Sequence, residues 1–127
     1  MMSRRTEQLG QLARLARIKA DADLRRYSAY RTQAEAMQRQ VDALRAELSA
    51  AIATPASDAL EQWRLTTALV AYRTGQAQRG EVALARMKPG LDAAHRAAAQ
   101  AFGRAEALAQ LQRLAQEEER KKDDRKS

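Results

Sequence analysis

His95 is the only histidine in the chain and there is no cysteine. A general base needs a nucleophile or an orienting carboxylate at a workable spacing, and none accompanies His95. Without a thiol, disulfides, cysteine nucleophiles and thiolate-bound metals are excluded, which fits a reducing compartment. The glycines at 10, 75, 80, 90 and 103 are scattered and form no phosphate-cradling loop. Glu117 to Glu119 are consecutive, so they point around a helix instead of converging on a metal. These residue types predict neither an enzyme nor a cofactor or metal site, and His95 reads as a packed or half-exposed ring at the edge of a helical seam.

The elements that carry these residues are long helices. Alanine is the commonest residue, the only aromatics are Tyr27, Tyr30, Trp63, Tyr72 and Phe102, and 31% of residues are charged. That composition suits extended helices or a coiled coil better than a globule. From Ser3 to Ala53 the chain has one glycine and no proline, which predicts a single helix over about 3–53. Pro55 ends it, residues 54–57 form a hinge, and Asp58 with Glu61 has the spacing of a capping box for a second helix over about 58–118. A connection this short implies an antiparallel hairpin. The closing charged run, residues 119–127, has no apolar face and is expected to leave the helix.

Each helix carries an apolar heptad. In the stretch YSAYRTQAEAMQRQVDAL, Tyr27, Tyr30, Ala34, Met37, Val41 and Leu44 recur at alternating spacings of three and four. The second helix repeats Trp63, Val70, Ala77, Leu84, Leu91, Ala98 and Ala105, with Met87, Ala94, Ala101 and Leu108 completing the stripe. The two seams can cover one another. Pro89 interrupts the helical pattern but falls opposite the seam, with Gly75 and Gly103 at the same outward position. The expected fold is an all-α, antiparallel two-helix coiled-coil hairpin whose second helix is kinked near Pro89, with a break into a three-helix bundle as the alternative. Gly80 leaves a hole in the seam, and a register placing Tyr27 against Gly80 and Tyr30 against Ala77 would fill it.

Some apolar residues have no place in that seam. Leu9, Leu12, Ala13, Ala16, Ala20 and Leu24 share the face leading into Tyr27, while Leu15, Ile18 and Ala22 point to one side, bordered by Arg14, Arg17 and Arg25. This second patch reads as a docking surface with a basic rim. Leu65, Leu69 and Tyr72 form a further stripe beside Trp63 and Val70, with Trp and Tyr as interface anchors. The net charge is +7, with the most clearly basic region before residue 31, which implies an acidic partner. Nucleic acid and an anionic membrane surface are alternatives, but acids interleave with the bases through most of the chain, so no nucleic acid is expected. No apolar run long enough for a membrane span or a signal peptide occurs, so a cytoplasmic protein is expected.

The segments LxxLARIKADAD in the first helix, EQWRLTTALVAY at the start of the second, and FGRAEALAQLQRLAQEEERKKDDR at its close together resemble the FliJ family of flagellar export proteins and its YscO-type injectisome counterparts. The similarity runs through nearly the whole chain. The resemblance implies an antiparallel coiled-coil stalk. The end bearing its termini enters a hexameric export ATPase, and the other half contacts the membrane export gate. Export chaperones are further partners, and the protein is peripheral to the membrane only through these contacts. By position, the ATPase-facing residues would be Leu12, Arg14, Leu15, Arg17, Ile18, Phe102, Leu108 and Leu111. The gate-facing residues would be Trp63, Leu65, Leu69, Val70 and Tyr72. Thr66 stands where an aromatic is usual, and Arg73 where an aliphatic is. The alternative reading is a structural coiled-coil adaptor or homodimer.

Overall fold

The computed structural model describes residues 3–54 and 59–126. Two helices account for nearly all of them, α1 (Arg4–Ala53) and α2 (Leu60–Lys126), and they pack against each other as a two-helix hairpin. Ser3 caps α1: its carbonyl accepts the first helical bond from Glu7 and its Oγ accepts the Thr6 N–H at 3.3 Å. At the other end Thr54 leaves the helix, with its N–H and hydroxyl both donating to the Ala50 carbonyl. Helix α2 opens on the Ala59 carbonyl. The capping role expected of Asp58, and most of the hinge, lie outside the described residues.

Helix α2 is continuous through Pro89, which rules out the three-helix alternative. Pro89 is exposed, so the backbone groups it disturbs lie on the wet side of the helix. The charged run from residue 119 does not leave the helix, which continues to Lys126. Glu, Lys and Arg are good helix formers, acids precede bases by four residues there, and Arg125 and Lys126 complement the dipole at the last turn.

The chain divides into two compact units, one formed by Met1–Ala29 with Asp92–Ser127 and the other by Tyr30–Leu91. In the first, the seam is built mainly from alanine. Ala20, Ala101 and Ala105 form a buried cluster with Ala16 packed against it, and Ala98 is buried as well. Tyr27 meets His95 edge to face with ring centroids 5.1 Å apart, and Arg17 lies 3.8 Å from Glu106. Near the chain ends, Glu119 accepts the Ser3 N–H at 2.9 Å and the Thr6 hydroxyl at 2.7 Å. In the second unit Val41 and Ala77 are buried, with Tyr30, Ala34, Met37, Leu44, Leu84 and Met87 half-buried around them. Two cross-helix ion pairs, Arg45–Glu81 and Arg73–Glu47, flank this seam.

Both units are antiparallel, but the register differs from the expected one. Tyr27 meets His95 instead of Gly80, and Tyr30 lies beside Gly90 instead of Ala77. Both shifts are about two heptads along α2. Gly80 instead receives Val41: a methyl group built there would lie 2.6 Å from Val41 Cγ2. Large residues still meet small ones, at different places.

This register also removes Trp63 from the seam. Residues 59–69 are all exposed, with Trp63 at 55%, because at the observed pairing α1 ends before reaching their level. Leu12 and Leu24 are likewise exposed instead of joining Leu9, Ala13, Ala16 and Ala20. Apart from Gly10, the buried and half-buried positions of α1 alternate by three and four, a mean of 3.5, and Leu12 and Leu24 fall on the two flanks of that stripe.

Candidate interaction surfaces

The candidate residues of the first unit divide among three faces of its helix pair. Leu15 and Ile18, three apart, stand on the side of α1 away from the seam and are 63% and 58% exposed. Arg14 and Arg17 are exposed beside them. Apolar side chains left in water and edged by guanidinium groups offer both contact area and a charge that orients an acidic partner.

Arg17 also belongs to one flank of the seam. Its guanidinium carbon sits 6.0 Å from the Phe102 ring centroid and its other contacts are Glu106 and, one turn along its own helix, Asp21 at 3.6 Å. A cation held near a ring and two carboxylates is already partly neutralised. Leu12 and Leu111 lie on the opposite flank, with Leu114 following on α2, and all three are exposed. Leu108 is half-buried in the seam and serves packing. The side on which Leu15 and Ile18 stand follows from helical angles, whereas the flank shared by Leu12 and Leu111 depends on the register of the pair.

At the mouth of that flank a shallow groove is lined by Leu9, Leu111 and Leu114, with Arg5, Glu118 and Lys122 at its rim. Thr6, 1% exposed, and Glu119 close it on one side. Hydrogen bonds from the Ser3 hydroxyl and Thr6, with the Ser3 N–H, hold the Glu119 carboxyl below the ordinary glutamate range. Leu114 had no assigned role in the sequence reading. Its signal was there: it lies seven residues after Ala107 and twenty-one after Ala93, on an outward stripe of α2.

In the second unit, Leu65, Leu69 and Tyr72 are exposed together on α2, spaced four and three apart, whereas Val70 is half-buried and begins the seam. Gln76 donates to the Tyr72 hydroxyl at 3.3 Å. Leu60, Ile52 and Val82 are further exposed apolar residues that the sequence reading did not single out. No helix among the described residues is long and apolar enough to cross a membrane. No protein-family model matches the chain, and neither does any curated protein or solved structure.

Proposed function

We propose that this chain is the central stalk of a type III (flagellar) protein export apparatus, binding a hexameric export ATPase and the export gate from the cytoplasmic side. The observation that carries the reading is the exposed Leu15 and Ile18 pair, rimmed by Arg14 and Arg17, on the helix-paired unit that holds both chain ends. Two paired helices of different sequence present different faces to successive subunits of a ring. Such a ligand biases ring subunits only through the difference between those contacts, which a symmetric plug lacks. The apolar pair supplies contact area and the arginines speed and orient docking in a salt-dependent way. The exposed Leu65, Leu69 and Tyr72 stripe is available for the gate.

The test is a pull-down and turnover assay with a purified hexameric export ATPase. The parent chain should bind and raise ATP turnover, and Leu15→Asp with Ile18→Asp should abolish both. Binding unchanged by that double substitution removes the assigned surface.

A second reading, a coiled-coil adaptor that dimerises with its own kind, is favoured by the α2 stripe, since three large apolar residues at helical spacing suit a partner helix. Light scattering at micromolar concentration separates the two. A stalk is monomeric, and an adaptor of this kind is a dimer that Leu69→Asp dissociates.

A further inference from the structure

Flanking residues across an antiparallel helix pair ordinarily offset one another in charge. In the Tyr30–Leu91 unit they do, through Arg45–Glu81 and Arg73–Glu47. In the other unit one flank does not. Leu12, Lys19 and Arg26 follow one another at intervals of seven on α1, as do Arg104 and Leu111 on α2. The pairing fixed by Arg17 with Glu106 and by Gly10 beside Gln112 sets Leu12 level with Leu111, and Lys19 level with Arg104. An exposed leucine rung is thus followed by a rung of two cations. Lys19 is held by Asp23 of its own helix at 3.1 Å, whereas Arg26 and Arg104 have no carboxylate partner among the described residues.

We propose that this flank is a docking strip for one amphipathic α-helix of another protein, whose apolar stripe is bordered by Asp or Glu. The strip runs along both helices of the pair. The Leu12 and Leu111 pair, both 51% exposed, continues into the groove lined by Leu9 and Leu114, so apolar contact extends about one helical turn further along the pair. Carboxylates alongside would neutralise Arg26 and Arg104, which α1 and α2 leave unanswered. The strip is separate from the Leu15 and Ile18 face, and the inference does not depend on the export reading. Nucleic acid, the other polyanion of suitable charge, has no use for a leucine rung.

The probe is a fluorescent synthetic peptide about three heptads long, with Leu at the seam positions and Glu at the flanking ones. Its controls are the same peptide with Lys for Glu, an acidic peptide of identical composition in scrambled order, and a short DNA duplex. Anisotropy titration of the full chain should show binding of the acidic amphipathic peptide that weakens as salt rises. Arg26→Glu with Arg104→Glu should weaken it by at least about tenfold and create binding of the Lys peptide. Leu12→Ser with Leu111→Ser should also weaken it, with far-UV circular dichroism unchanged because both side chains are exposed. Leu15→Asp with Ile18→Asp should leave it intact, so that this strip and the proposed ATPase surface fail or hold separately. Equal binding of the scrambled peptide or of DNA, an equal loss in the Leu15 and Ile18 variant, or no binding of the amphipathic peptide would each overturn the proposal.

Discussion

At Gly80 the helices of the Tyr30–Leu91 unit approach so closely that a methyl group would sit 2.6 Å from Val41 Cγ2. Val41 is 2% exposed, and its β-branched side chain has essentially one rotamer in a helix, so it has nowhere to swing. At Gly103, by contrast, an added methyl meets nothing within 4 Å. Glycine costs a helix interior about 1 kcal/mol relative to alanine, so Gly103→Ala should raise stability by about that amount. Gly80→Ala gains the same propensity but overpacks a seam, an effect of about 1–3 kcal/mol, and should lower stability on balance. Urea denaturation of the two variants checks the pair. A Gly80→Ala protein as stable as the Gly103→Ala one would mean that the seam opens to admit the methyl group. Gly10 is a weaker case, because its close neighbour is the mobile end of Gln112.

Among elements, α1 begins with a cap completed by the other helix. In the usual capping box a glutamate at the third helical position reaches back to the cap residue's N–H, but here that position is Thr6, and Glu119 of α2 takes the role. The bonds to Ser3 and Thr6 lower the Glu119 pKa in the folded chain, so the cap's contribution is complete above the unfolded value and is lost as pH falls through the folded one. Thermal melts of the parent and Glu119→Gln should therefore differ at neutral pH and converge as the solution is acidified below the ordinary glutamate range. A gap that persists at low pH would assign the effect to packing. Nothing in the sequence pointed to this cap, since it joins residues from opposite ends of the chain. The seams themselves were readable, because a heptad written in Ala, Val, Leu and Met specifies a buried stripe whatever covers it. Register was not, because sliding one heptad past another by whole repeats keeps every apolar position in contact. The tie is broken by fits such as Val41 over Gly80 and Tyr30 beside Gly90, and the same ambiguity misplaced Trp63. Likewise, the Leu15 and Ile18 patch could be read from helical angles, whereas the flank joining Leu12 to Leu111 depends on register and could not.

For the molecule as a whole, the two units are stabilised unequally. The Tyr30–Leu91 unit buries or half-buries Val41, Leu44, Leu84, Met37, Met87 and Tyr30, and fully burying a side chain of this size contributes about 1.5–3 kcal/mol. The other unit relies on alanines, with Asp23, Gln112 and Glu119 among its half-buried seam positions. Its pairing also closes a longer stretch of chain, which includes the whole of the Tyr30–Leu91 unit, and each doubling of such a loop adds roughly 0.6 kcal/mol of closure cost. The helices should accordingly separate first in the unit that holds the termini. Native-state hydrogen exchange should find amides in Ala13–Ala20 and Ala98–Ala105 exchanging at least about tenfold faster than those in Met37–Leu44 and Ala77–Leu84. Glu119→Gln should widen that gap by loosening the cap, and a bound acidic helix on the Leu12 and Leu111 flank should narrow it by mass action. A single rate of exchange through both units would show that the hairpin opens as one cooperative block, and the alanine seam would then be as strong as the seam built on Val41.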